Sequence, residues 1–222
     1  MPQQWGIFYV QLLQSIPLKQ RMTTEQANLL SEFNFIVAVD ASGSMGETDM
    51  PGGKSRWEYM QETLTAFTRE ILAIDTDGIE VVAFGGQNIT SVSGKTVDTV
   101  KLIFSTRSPR GSTPLAQALT ESLKLAKLSD KKAVILVFTD GVPDDKSAAA
   151  RVIVDQANSQ LTDDECTFIF VQVGHDAAAS AYLRSLDDGM IGAKFDIVEA
   201  LTIDEAEEYP TIVELVCAAI KG

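Results

Sequence analysis

Histidine and cysteine are almost absent from the sequence, which holds one histidine, His175, and two cysteines, Cys166 and Cys217. The cysteines form no CxxC pair, and one histidine cannot complete a zinc site with them. Both cysteines stand among apolar residues in a chain with no secretion signal, so we expect two buried thiols rather than a disulfide. Serine-hydrolase chemistry also lacks support, because it requires a base beside the nucleophile.

Long apolar runs are missing as well. No run reaches the roughly 18 residues of a membrane-spanning helix, and no basic residue precedes the partly apolar stretch near the N-terminus. The sequence therefore predicts no membrane span and a cytoplasmic location. The net charge of −13 repels phosphate backbones, so we expect no nucleic-acid partner; it favours cations and basic protein surfaces.

Acidic residues are absent from residues 1–21, whereas the rest of the chain carries all 31. Pro17 interrupts any helix in this stretch. The stretch fits either a docking arm or an upstream extension with Met22 as an alternative start. We predict an N-terminal extension over 1–30 and a single domain over 31–222.

Buried-strand patterns alternate with helical spacing along that domain. The expected strands span 33–39, 79–84, 89–92, 133–138, 167–173 and 193–198. The expected helices span 57–74, 96–104, 114–128, 147–160, 177–186 and 204–220, with Thr113 as the N-cap of the third and Pro210 as a break or start in the last. This alternation predicts an α/β fold: a doubly wound, mostly parallel central sheet with helices on both faces and one antiparallel edge strand, 89–92.

Oxygen-bearing side chains follow the two strands expected at the centre of the sheet. Asp40, Ser42 and Ser44 come at alternate positions after the first strand, and such positions point to one side of an extended segment. Asp140 follows the strand 133–138, and Thr113 precedes a helix that lies between them in sequence. Carboxylates and hydroxyls are the hard ligands that Mg²⁺ prefers. Ligands in such folds bind beyond the carboxyl ends of the strands.

The order D-x-S-x-S, T and D at these positions resembles the metal-ion-dependent adhesion site of the von Willebrand factor A family, which has a Rossmann-like fold. The resemblance implies direct coordination by Ser42 and Ser44, and direct or water-mediated coordination by Asp40 and Asp140. It implies that Thr113 joins when ligand binds, and that one position stays open for an Asp or Glu of a partner protein. The implied ion is Mg²⁺, with Mn²⁺ or Ca²⁺ as alternatives.

The T-P-L helix opening and the T-D-G strand end look like the bacterial branch of that family. Stand-alone bacterial members often work beside AAA+ ATPases or in stress-response and tellurite-resistance systems, so the resemblance implies such a complex as partner. We expect Met45, Lys54, Asp144 and His175 to form a partner-binding rim. Alternatives remain open: Met45 is equally compatible with burial, Asp144 with a solvated loop and His175 with a local hydrogen bond.

Two other functions compete with a metal-dependent interaction module. A hydrated Mg²⁺ in a crevice would allow metal-assisted hydrolysis of phosphate esters, but no general base and no phosphate-binding loop accompany it. A haloacid dehalogenase-type phosphatase needs an aspartate where Ser42 stands. The third possibility is a structural subunit whose ion only stabilises the loops. We therefore predict a non-enzymatic protein.

Overall fold

The computed structural model describes residues 22–73 and 77–221. The two hypotheses for residues 1–21 lie outside the described residues, and the division at residues 30 and 31 stays a prediction. The strands are β1 Phe33–Asp40, β2 Ile79–Gly85, β3 Asn88–Gly94, β4 Lys132–Thr139, β5 Cys166–Gln172 and β6 Val198–Thr202. The α-helices are α1 Thr24–Ser31, α2 Arg56–Ile71, α3 Val97–Thr106, α4 Leu115–Ala126, α5 Lys146–Ser159, α6 Ala177–Asp187, α7 Ile203–Glu207 and α8 Ile212–Lys221.

One sheet runs in the order β3-β2-β1-β4-β5-β6. Every neighbouring pair is parallel except β2 and β3, which pair antiparallel at the edge. The predicted fold class is confirmed. Because the chain winds outward from β1 in one direction and from β4 in the other, a crevice opens beyond the carboxyl ends of these two central strands.

The side chains of β1 show why it lies in the centre. Phe35 and Val37 face one apolar cluster, built with α1, α2, α3 and α8. Ile36 and Ala38 face the other cluster, built with α4, α5 and α6. Each large side chain buried in this way contributes about 1.5–3 kcal/mol, so both sides of the strand are fixed by packing.

The two cysteines lie in different clusters, Cys217 on the first face and Cys166 on the second. Both are buried thiols, as predicted. No helix in the described part of the chain combines the length and apolar character needed to cross a bilayer.

The last third of the chain departs from the sequence expectation. The final strand, expected at 193–198, is β6 and begins at Val198 because that residue pairs with Phe168 of β5. The expected helix 204–220 is divided into α7 and α8 on either side of Pro210, which is the break that this proline suggested. Helix α1 was not expected; Thr23 and Gln26 form a capping box at its start.

Candidate metal centre

Asp40 is the last residue of β1 and has no accessible surface. Both of its carboxylate oxygens accept hydrogen bonds: Oδ1 from the backbone N–H of Ser42 at 2.7 Å, and Oδ2 from the hydroxyl of Thr139 at 2.6 Å. Thr139 ends β4, the neighbouring strand. The side chain of Asp40 is therefore fixed in the crevice between the two central strands.

Ser42 and Ser44 continue from Asp40 towards the second carboxylate. The Ser42 and Ser44 hydroxyl oxygens lie 3.2 Å apart, and the Ser44 hydroxyl donates to Oδ1 of Asp140 at 2.8 Å. The turn Gly43–Gly46 shapes this segment, and the N–H of Gly43 donates to the carbonyl of Gly111 at 3.0 Å. The Ser44 hydroxyl thus joins two residues that are separated by 96 positions in sequence.

Thr113 lies in the segment before α4 and close to the loop that follows β4. Its hydroxyl oxygen lies 3.8 Å from where a β-carbon of Gly141 would stand, next to Asp140. The expectation that Thr113 caps the helix is wrong by one residue, because Pro114 holds the N-cap position and α4 begins at Leu115. Within the described part of the chain the Thr113 hydroxyl has no hydrogen-bond partner, which leaves it available to a ligand.

Burial makes the ionised form of Asp40 unfavourable. Burial raises the pKa of Asp40 to about 6; the hydrogen bonds from Thr139 and Ser42 oppose this rise, and the nearby charge of Asp140 adds to it. A cation bound beside Asp40 would act in the opposite direction and favour its ionised form.

Arg56 is the important site residue that the sequence reasoning missed. Its side chain is only 7% exposed, and one guanidinium nitrogen, Nη1, donates to Oδ2 of Asp140 at 2.7 Å. The other nitrogens bind Asp49, at 2.6 to 3.2 Å, and Glu47, at 2.9 Å. The signal was available: Arg56 precedes the buried Met60 by four residues, a spacing that places a charge on the apolar face of its helix.

The surroundings of Arg56 keep it in place. The hydrogen bonds to Asp49, against the opposing effect of burial, raise the pKa of Arg56 above its ordinary value, so it stays charged. On its other side lies Gly174, where a β-carbon would stand 2.7 Å from the guanidinium carbon. The absence of a side chain at position 174 therefore makes room for the arginine.

The partner-binding rim stays a prediction, and the structure gives the surroundings of its four residues. Met45 is a correction, because it has no accessible surface and packs in the apolar cluster that includes α2; its methyl group cannot meet a partner. Lys54 is partly exposed and pairs with Glu62. His175 is 62% exposed, and its Nδ1 lies 3.7 Å from Asp204 Oδ2, which is too long for the local hydrogen bond that was the alternative.

Asp144 has a defined structural task. Its carboxylate accepts hydrogen bonds from the Ser112 hydroxyl at 2.7 Å and from the Thr113 N–H at 3.0 Å, and its own N–H donates to the Thr113 carbonyl. Asp144 therefore joins the loop after β4 to the segment that carries Thr113, while staying exposed.

The donor set fits a hard divalent ion that accepts hydroxyl ligands. Within residues 22–73 and 77–221 no three His, Cys, Asp or Glu side chains come together as a metal cluster. Any ion in this crevice would therefore depend on serine and threonine oxygens beside the carboxylates of Asp40 and Asp140. Oxygen ligands of this kind suit Mg²⁺ and Mn²⁺ and exclude a zinc-type site.

The central crevice of the sheet lies beside Asp40, Ser42 and Ser44, which follow from the end of β1, and beside Asp140, which follows β4. This combination of sheet and site is typical of one class of domain. Residues 35–142 match the family model described as von Willebrand factor type A domain, and all the candidate ligands fall within this range. The region 35–142 belongs to the von Willebrand factor type A domain family.

Solved structures with the same fold come from distant proteins. The manganese-loaded TRAP protein of Plasmodium vivax is 17% identical with a TM-score of 0.58, covering 85% of this chain and 73% of that chain. The von Willebrand factor domain of the type V pili tip protein Mfa5 from Porphyromonas gingivalis is 12% identical with a TM-score of 0.53, covering 85% and 96%. The open conformation of the pilus adhesin SpaC from Lactobacillus rhamnosus GG is 13% identical with a TM-score of 0.57, covering 84% and 30%. No curated protein matches the sequence.

Proposed function

We propose that this chain is a metal-dependent interaction module, which binds a divalent cation and presents it to an acidic side chain of a partner protein. The ligands are Asp40, Ser42, Ser44, Thr113 and Asp140, and the ion is Mg²⁺, with Mn²⁺ and Ca²⁺ as alternatives. The observation that supports this proposal is the series of hydrogen bonds that links Asp40 through Ser42 and Ser44 to Asp140, with the Thr113 hydroxyl close to the neighbouring Gly141. The manganese in the Plasmodium vivax structure of the same fold supports the choice of a divalent ion.

The bound ion would supply a Lewis-acidic position for an incoming carboxylate. The residues of this chain prepare that position. Thr139 and the Ser42 N–H orient Asp40, and Arg56 holds one oxygen of Asp140 so that the other faces Ser44. Because few of the ligands are charged, the ion retains its attraction for an acidic group, although the protein as a whole carries a charge of −13.

Hydrogen bonds within the protein already join the loops around the crevice. Gly43 binds Gly111, and Asp144 binds Thr113. An ion that only stabilised these loops would add few connections that the hydrogen bonds do not already make. This favours the interaction module over the structural subunit. The AAA+ ATPase or stress-response complex, the bacterial setting and the cytoplasmic location remain predictions that accompany this proposal.

Isothermal titration calorimetry with Mg²⁺, Mn²⁺ and Ca²⁺ tests the metal site. We expect the wild type to bind and Asp140→Asn to bind at least about tenfold more weakly, since loss of a ligand charge weakens a hard-ion site. Asp130→Asn is the matched control, because Asp130 is exposed and precedes β4 at the opposite end of that strand. Equal binding by wild type and Asp140→Asn would refute the assignment.

A pull-down from the native host tests the interaction. We expect a partner to be retained by the wild type with Mg²⁺, and to be lost with chelator and with Asp140→Asn. Retention that is insensitive to chelator would favour the structural subunit instead. Turnover of p-nitrophenyl phosphate by the wild type with Mg²⁺, absent from Asp140→Asn, would favour the hydrolase.

A further inference from the structure

Arg56 occupies a position that the donor set does not explain. It is a buried cation in direct contact with one of the candidate metal ligands: Nη1 lies 2.7 Å from Asp140 Oδ2, and the side chain is 7% exposed. In the proposed site the metal ion would bind on the other side of the same carboxylate, where Asp140 Oδ1 accepts the hydrogen bond from Ser44. Two cations that share one carboxylate repel each other, most strongly where water is largely excluded.

The arginine is held there by contacts that do not depend on a metal. Asp49 and Glu47, both exposed, bind its outer nitrogens. Its own N–H donates to the Glu47 carbonyl at 2.9 Å, and Gly174 leaves space for the guanidinium. These contacts hold the guanidinium of Arg56 next to Asp140 whether or not an ion is bound.

We propose, on the basis of the proposed metal site, that Arg56 is a built-in counter-ion, which compensates the charge of Asp140 while no metal is bound and thereby weakens the affinity for the divalent cation. Arg56 touches the ligand and not the ion, so it is a positioning and affinity-setting residue. In the metal-free protein, Arg56 supplies part of the charge compensation that the ion supplies once it is bound. As a consequence, the protein binds the divalent cation with moderate affinity, and the bound ion keeps its attraction for a carboxylate of the partner.

The decisive variant is Arg56→Met, which removes the charge and keeps the apolar part of the stem. In chelator we expect its melting temperature to fall by several degrees, because the buried Asp140 loses its counter-ion. In calorimetry we expect it to bind Mg²⁺ at least about tenfold more tightly than the wild type, because the repulsion is gone. The gain in melting temperature on adding Mg²⁺ is then larger for the variant than for the wild type.

Two controls separate charge from packing. Arg56→Lys keeps the charge and loses the planar guanidinium, and we expect its Mg²⁺ affinity to stay within about threefold of the wild type. Arg69→Met removes an exposed arginine from the same helix, and we expect no change in either quantity. A merely structural role of Arg56 would lower stability in both Arg56 variants without raising Mg²⁺ affinity in either.

The outcomes distinguish this proposal from the one on which it rests. If the wild type binds Mg²⁺ and Arg56→Met binds it equally or more weakly, the counter-ion role is refuted and the metal site stands. If the wild type and every variant bind no divalent cation, the metal site itself is refuted. Should Arg56→Met be unfolded in chelator, Mg²⁺ is expected to restore its circular dichroism spectrum, and failure of Mg²⁺ to do so overturns the proposal.

Discussion

Gly85 packs directly against the backbone of Ala41, so that a β-carbon on Gly85 would lie 2.4 Å from the Ala41 carbonyl oxygen. The same carbonyl accepts the N–H of Arg110 at 2.8 Å, and the Ala41 N–H donates to Phe84. The end of β2, the start of the Asp40–Ser44 segment and the segment leading to Thr113 therefore meet at one point. No side chain fits there.

The first prediction concerns this contact. Gly85→Ala forces the end of β1 away from β2, and we expect a loss of about 1–3 kcal/mol in the free energy of unfolding, measured by urea denaturation. Gly46→Ala is the control, since the nearest atom to a β-carbon there is 3.9 Å away, and its effect is expected to be below about 0.5 kcal/mol. Equal effects of the two substitutions would contradict the steric explanation.

The second prediction concerns pH. The pKa of Asp40 rises from 3.8 to about 6 on folding, so between these values the folded protein binds a proton that the unfolded chain lacks. Stability contributed by protonated Asp40 is therefore present at low pH and lost as the pH rises through about 6. In chelator, we expect the unfolding free energy of the wild type, relative to Asp40→Asn, to fall by an amount on the order of 1–3 kcal/mol between pH 4 and pH 7.

Urea denaturation at a series of pH values, done on both proteins, provides the measurement. The comparison with Asp40→Asn cancels the carboxylates whose pKa is lowered by their partners, such as Asp49 and Glu205. A difference between the two proteins that stays constant from pH 4 to pH 7 would show that Asp40 has an ordinary pKa.

The third prediction uses the Thr113 hydroxyl. Thr113→Val keeps the shape of the side chain and removes the hydroxyl, which has no hydrogen-bond partner among the described residues. We therefore expect the unfolding free energy in chelator to change by less than about 1 kcal/mol. We expect Mg²⁺-dependent partner retention to fall at the same time, since Thr113 is a proposed ligand. Thr113→Ser retains the hydroxyl and should bind like the wild type; retention by Thr113→Val would remove Thr113 from the ligand set.

The fourth prediction compares two tyrosines. The Tyr182 hydroxyl is buried without a hydrogen-bond partner among the described residues, whereas the Tyr59 hydroxyl donates to Glu207 at 2.5 Å. We expect Tyr182→Phe to leave stability unchanged or raise it by up to about 1 kcal/mol, and Tyr59→Phe to lower it by about 0.5–1.5 kcal/mol. Urea denaturation of both variants tests this, and a marked loss in Tyr182→Phe would reveal a bonding partner for that hydroxyl.

The sequence predicts the part of the molecule that depends on local pattern. The apolar runs of β1 and β4 identify buried strands, and their ends place Asp40 and Asp140 side by side, since carboxyl ends of neighbouring parallel strands share an edge. The hydroxyl positions follow from alternate spacing after Asp40. These inferences succeed because each requires only a strand end and a few adjacent residues.

Features set by contacts between distant segments escaped the sequence analysis. The start of β6 depends on its register with β5, which local composition does not encode. The role of Arg56 depends on Asp140, 84 positions away, and on the space left by Gly174. Met45 was assigned to the rim because it neighbours the site in sequence, but packing against the core determines where its side chain points.

The hydrogen bond between Thr139 and Asp40 joins residues 99 positions apart, and this separation has a consequence for timing. The crevice does not exist until β4 has docked beside β1, so a nascent or partly unfolded chain offers no assembled set of oxygens. A cation that bound to this set of oxygens would bind only the folded chain and would add stability to the native state alone. Binding at this crevice would thus depend on the integrity of the whole sheet.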